Sequence, residues 1–133
     1  MTYKFERDPE GGIILVNVQI DGKYTFKMVV DTGASRTTID TTALYMADYK
    51  MSNMSETCAI ETANGIVEVE VLEVNNLTAL GHTKRQMTVQ VYDFLAHGIL
   101  SDYDGLLGLD FFEDTEFCID MENNTIEIRH HNT

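Results

Sequence analysis

Apolar residues recur at every second position along much of this chain, in short runs cut by turn-forming residues. A period of two is the mark of strands that turn one face to a core and the other to water. From Ile13 to Ile20, the residues Ile14, Val16, Val18 and Ile20 share one face and Asn17 and Gln19 the other. Asp21-Gly22 follows, a dipeptide suited to a tight hairpin turn, and Tyr24 to Val30 reads as the returning strand. Arg36 to Ile39 reads as another short strand. Asp40 or Thr41 can cap a short helix running to about Lys50, with Ala43, Leu44, Met46 and Ala47 near one face.

The same grammar continues. Cys58 to Thr62 leads into Ala63-Asn64-Gly65, and Ile66 to Val74 leads out, with Val67, Val69 and Val71 alternating with Glu68 and Glu70. A third hairpin is expected to turn near Gly81 and return through Gln86 to Tyr92. A looser stretch, Asp93 to Asp104, carries His97 and Gly98. Then come Leu106-Leu107-Gly108, a short helix near Leu109 to Glu113, and a last hairpin in which Phe117–Met121 and Thr125–Ile128 flank Glu122-Asn123-Asn124. The expected class is mainly β, with one or two short helices. Many short strands of this kind suggest a barrel or a sandwich.

A chain of 133 residues suits one domain, here 1–133, able to bury about two-thirds of its unfolded surface. The formal net charge of -13 gives it no electrostatic reason to sit on nucleic acid or on an anionic membrane. Neither Cys58 nor Cys118 has metal-ligand spacing, and both are expected to be reduced core residues. The start, MTYKFERDPE, has no apolar signal region, and no segment approaches the ~20 apolar residues of a membrane span. These features suggest a cytoplasmic protein. A soluble piece cut from a longer, anchored chain is the alternative.

The chemistry concentrates at Met28-Val29-Val30-Asp31-Thr32-Gly33-Ala34-Ser35. An apolar strand ends directly at an acid, so the carboxylate projects from a rigid element. Gly33 lets the backbone turn tightly, so that N–H groups can donate to that carboxylate. Asp-Thr-Gly also makes an ordinary turn, and by composition it should occur in roughly a few per cent of chains this long. Its context carries the weight. DTGAS after an apolar strand resembles the active-site motif of the retropepsin-like aspartic proteases. Leu106-Leu107-Gly108 with LDFF is similar to that family's later apolar-apolar-Gly segment, which packs beside the catalytic loop in a ψ-shaped structure threaded by the active-site strand. ETANGIVEV, between the two, resembles its flap. Order and spacing agree over roughly Ile13 to Ile128, most closely with cellular and bacterial single-domain members.

The resemblance implies a closed β-barrel of the acid-protease type. It also implies an aspartic endopeptidase in which two Asp31 carboxylates, one from each subunit of a homodimer, activate a water against a peptide or protein substrate. Thr32 would bond across to the partner loop, and Gly33 would donate to the carboxylates, with Ala34 and Ser35 completing the loop. Thr62, Ala63, Asn64 and Gly65 would hold substrate from the flap, and no cofactor or metal would be needed. Viral members usually place an acid after DTGA and an arginine after the later glycine. Ser35 and Leu109 stand there, both halves of that pair are absent, and no lone buried charge results. The dimer interface is therefore expected to differ from the viral one. A non-catalytic dimerisation or peptide-binding module on the same fold is the alternative.

Other groups are weaker candidates. Asp102-Tyr103-Asp104-Gly105 lacks the spacing of a calcium loop and reads as a plain turn. His130-His131 reads as a frayed tail, with an adventitious metal site as the alternative. His82 and His97 have no serine or cysteine constellation. Arg36 and Lys84-Arg85 read as surface charges.

Overall fold

A computed structural model describes residues 2–49, 54–62, 65–97 and 102–130. In chain order the elements are β1 (Thr2–Lys4), β2 (Glu6–Arg7), β3 (Ile14–Ile20), β4 (Tyr24–Val30), β5 (Thr38–Asp40), α1 (Thr41–Met46), β6 (Met54–Thr62), β7 (Gly65–Ala79), β8 (His82–Tyr92), a 3-10 turn at Leu95–His97, β9 (Gly105–Leu107), a second 3-10 turn at Leu109–Phe112, β10 (Thr115–Asp120) and β11 (Thr125–His130). The larger sheet runs β2-β3-β4-β9-β5-β8-β7-β6, and an added β3–β7 pairing closes it into a barrel, with β2 and β6 outside the ring. Val18, Ile20, Met28, Leu72, Val74, Val89 and Leu107 fill its interior with essentially no exposure.

Turn chemistry sets the hairpins. Asp21 and Gly22 both lie at positive φ (54° and 67°), the backbone of the two-residue turn that suits right-handed strand twist. The Asp21 carboxylate also accepts from Asn76 N–H at 3.0 Å, so the same turn tethers β3 to β7 where the barrel closes. Leu80 and Gly81 repeat the left-handed pair between β7 and β8. β8 begins at His82, earlier than the expected Gln86, because Gln86 itself takes φ 51° and the ladder continues on both sides of it.

Strand β7 departs from simple alternation. Val69 is buried as expected, but Leu72 and Val74 then face the core, and Leu77 and Ala79 after them. Each change of phase has a local cause. A register shift between Met54 and Glu56 lies opposite Val71 and Leu72, and the left-handed Gln86 lies opposite Asn75, between the pairs Val74–Met87 and Asn76–Arg85. An extra or misdirected residue in one strand turns the facing side chains over.

Four expectations need correction. Helix α1 ends at Met46 rather than near Lys50, which lies outside the described residues. Asp48 takes φ 57°, and Tyr49 N–H bonds Leu44 O at 3.1 Å, so the chain leaves the helix there. Of its apolar residues Leu44 is fully buried, whereas Met46 is 77% exposed. Strand β5 starts at Thr38, because the residues before it are held by the loop that follows β9. Cys118 is exposed, on the outer face of β10 between the half-buried Phe117 and Ile119, and the Cys58 side chain lies outside the described set. His130 is not frayed. It is the last residue of β11, paired with Thr115; His131 lies outside the described residues.

A second, three-stranded sheet has the order β1-β11-β10. It joins the barrel through aromatic contacts, with Phe117 stacked on Phe112 at 4.2 Å between ring centroids and Phe112 edge-on to Phe111.

Candidate active site

β4 delivers Asp31. The strand runs parallel to β9, with Val30 opposite Leu107, and Asp31 N–H continues that ladder to Leu107 O at 3.0 Å. β9 lies between β4 and β5, parallel to the first and antiparallel to the second. The ψ-shaped arrangement is therefore present with one change from expectation: the Gly105–Leu107 strand occupies its centre, and the strand that ends at Asp31 forms one arm.

Past Asp31 the chain folds back at once. Gly33 N–H donates to Asp31 Oδ1 at 2.9 Å, and Ala34 N–H to Asp31 O at 3.1 Å. Leu109 N–H then donates to Ala34 O at 2.8 Å, which ties the loop to the segment after β9. Gly108 makes this closeness possible, since a Cβ there would stand 2.6 Å from the Arg36 carbonyl carbon and 2.9 Å from Ala34 O. Asp31 is half-buried. Thr32 and Gly33 are exposed, and Thr32 makes no hydrogen bond among the described residues.

Beneath the loop is a clamp that sequence reasoning missed. Thr37 is fully buried. Its N–H donates to both oxygens of Asp110 at 2.9 and 3.0 Å, its hydroxyl donates to Asp110 Oδ1 at 2.7 Å, and the hydroxyl oxygen accepts from Gly108 N–H at 3.1 Å. Asp104, read from sequence as part of a plain turn, is a second fastener. Its carboxylate accepts from Lys27 N–H at 2.8 Å, while Asp40 N–H donates to its carbonyl at 2.8 Å. Asp110 is engaged through both oxygens, whereas the Asp104 and Asp31 carboxylates each accept one backbone N–H on one oxygen. Nothing in local sequence marks this difference, apart from the position of Asp110 in the first turn of a short helix after glycine.

The segment expected to act as a flap lies at the end of the β6–β7 hairpin. Thr62 pairs with Gly65, and Gly65, at φ 115°, and Ile66, 78% exposed, stand at its end. Ala63 and Asn64 lie outside the described residues. Leu106 and Leu107 are in β9, with Leu107 fully buried. Ser35 is exposed. Among the described residues, no three His, Cys, Asp or Glu side chains converge as a metal site, and no helix is long and apolar enough to cross a membrane.

A closed barrel in which a strand ends at Asp-Thr-Gly and a later strand enters between its two arms has the retropepsin-like aspartic protease fold. The chain belongs to the family described as gag-polyprotein putative aspartyl protease, which matches residues 16–114. Among solved structures it is similar to a retropepsin-like aspartic protease from Rickettsia conorii, at 20% identity and a TM-score of 0.68, with 98% of this chain and 91% of that chain covered. Comparison with curated protein sequences finds no match.

Proposed function

We propose that the chain is an aspartic endopeptidase that works as a two-fold homodimer, with Asp31 of each subunit forming the catalytic pair. The carrying observation is the contrast among the acids. Among the described residues the Asp31 carboxylate accepts a single N–H, from its own neighbour Gly33, on a loop pinned at Leu107 and Leu109, while both oxygens of Asp110 are taken up by Thr37. One chain offers one Asp-Thr-Gly acid, and a second copy supplies the other.

Two carboxylates a few Å apart share one proton, because like charges so close do not both ionise easily. The ionised member takes a proton from a water as its oxygen attacks the peptide carbonyl carbon. The protonated member gives its proton to the carbonyl oxygen. The tetrahedral intermediate then collapses, the C–N bond breaks, and the leaving nitrogen takes up a proton. Gly33 N–H, already on Asp31 Oδ1, holds that oxygen in place. Thr32, exposed and unbonded, is free to reach the partner loop. The substrate lies extended beneath the β6–β7 hairpin, adding a strand through backbone hydrogen bonds around Gly65.

The test is a dilution series. Each subunit carries -13, so the copies repel at long range, and salt weakens that repulsion as the Debye length falls from ~10 Å at 0.1 M to ~3 Å at 1 M. Specific peptide-cleaving activity should fall with dilution in step with the dimer seen by sedimentation, and added salt should move the fall to lower protein concentration. Full specific activity in a sample shown to be monomeric would sink the shared site.

A further inference from the structure

The seam between the barrel and the terminal sheet holds a polar group that neither the fold nor the proposed chemistry uses. His82 opens β8 on the barrel side, and His130 closes β11 on the other. Their rings lie 4.7 Å apart between centroids, with planes tilted by 44°. Beside them Tyr3 of β1 sets its hydroxyl against Gly81, where a Cβ would meet it at 2.0 Å. The β7–β8 turn is thus docked against both β1 and β11.

His82 Nε2 is buried and has no hydrogen-bond partner among the described residues. Buried polar atoms are nearly always paired, so an unpaired nitrogen calls for a reason. The Phe111 backbone carbonyl faces the same ring and favours a proton on it. That proton falls to Nδ1, since Nε2 has no acceptor, and Nε2 keeps its lone pair. An imidazole that turns one N–H to a backbone carbonyl and its other nitrogen elsewhere is oriented as metal-binding histidines are. Burial, and then His130, also lower the pKa of this ring, so at neutral pH it is neutral, the form that binds metal. Phe111 shields one side of it, edge-on at 5.0 Å. Lys84 also stands near, but its charge is engaged by Glu113 and the Asp110 carbonyl.

The spacing agrees. A metal ~2.0–2.1 Å from one nitrogen of each ring stands ~3.2 Å from each ring centre, which puts the centres roughly 4.5 Å apart at a right angle and roughly 5.2 Å apart in a tetrahedron. The observed 4.7 Å lies between the two. His130 is exposed at its strand end, so its ring can turn a nitrogen to the same point.

We infer that His82 and His130 together bind one divalent transition metal, zinc, nickel or copper, which clips the terminal sheet to the barrel. These ions suit imidazole, whereas magnesium and calcium take oxygen ligands. Water completes the shell, since no third His, Cys, Asp or Glu of the described residues converges there. The role is structural, and it stands whether or not the chain cuts peptides.

The test is a zinc titration of the metal-stripped full chain at neutral pH, with magnesium as control. Zinc at about ten times its dissociation constant should raise the thermal midpoint by about 4–8 °C, and magnesium should not. In nitrogen NMR the imidazole signals of His82 and His130 should move together and saturate at one zinc per chain. His130→Ala and His82→Phe should each weaken zinc binding about tenfold or more. His130 is exposed, so His130→Ala leaves the core intact and decides the matter alone if His82→Phe fails to fold. A chain with 22 acidic side chains also collects zinc weakly elsewhere, and the two imidazole signals tell that binding apart. Zinc that leaves both imidazoles unmoved, or that either variant binds at full strength, would belong to other residues and overturn the clip. An absence of saturable binding would overturn it as well.

Discussion

The two regions proposed to meet the substrate are built on opposite terms. On the floor, the N–H groups of Asp31, Gly33, Ala34, Thr37, Gly108 and Leu109 each have a named acceptor, several of them far away in the chain. On the cover, β6 pairs with β7 alone, and the hairpin ends in an exposed Gly65 and Ile66. The floor must hold a carboxylate to within a fraction of an ångström. The cover must leave and return for every peptide, so its bonds are kept within itself. Substitutions on the floor should therefore damage stability and catalysis together, and substitutions at the tip of the cover should damage catalysis alone.

The largest expected effect separates chemistry from architecture within the floor itself. Asp31→Asn should lower kcat by about 10³-fold or more, the scale of a lost acid–base partner. Its thermal midpoint should hold or rise, since the nearly isosteric change relieves repulsion in the dyad. Cleavage at the wild-type rate would remove Asp31 from the mechanism.

Next comes Thr37→Val. The shape is kept, but the hydroxyl between Gly108 N–H and Asp110 is lost, which leaves buried groups unpaired. Urea unfolding should show a loss of about 1–3 kcal/mol, with activity falling in parallel. Against it, Ile66→Ala at the tip of the cover should move stability by no more than about 0.5 kcal/mol while raising KM. Equal stability losses for the two variants would erase the contrast. Amide exchange gives an independent reading: Gly65 should exchange much faster than Asp31 and Leu109, whose N–H groups lie in the ψ-shaped junction.

The smallest effect lies away from both regions. His82 packs edge-on to Phe111 at 5.0 Å, with the His130 ring 4.7 Å away. Burial, and then the neighbouring His130, hold its pKa below the ordinary 6.5. The unfolded chain therefore takes up this proton at a higher pH than the folded one. The associated stability is fully present above 6.5, and it falls as the pH drops from there towards the lower folded value. His82→Phe should flatten that part of the pH–stability curve and leave the floor and the cover unaffected. An unchanged slope would show that the acid sensitivity comes from elsewhere.

How far sequence could reach is clear from particular residues. Asp21-Gly22 and Gly81 were legible because their turns are local, closing over two residues. Asp31-Thr32-Gly33 and Leu106-Leu107-Gly108 were legible as motifs, and the structure joins them through Asp31 N–H and Leu107 O. The Thr37–Asp110 clamp was not, because its partners lie 73 positions apart and neither is unusual where it stands. The phase changes along β7 depend on a shift in β6 and a left-handed residue in β8, which exist only once the strands have paired. β1 is three residues long and takes its meaning from β11, at the far end of the chain.

The central placement of β9 also governs when the site can exist. A ribosome releases β4 and Asp31 long before it makes Gly105–Leu107, and until then the aspartate loop lacks its acceptor at Leu107 and its fastening at Asp110. Pairings between such distant stretches form late, after chain closure has been overcome. A nascent chain broken off before residue 105 would carry the acid without the junction that aims it. The junction therefore forms in one step, once β9 has emerged.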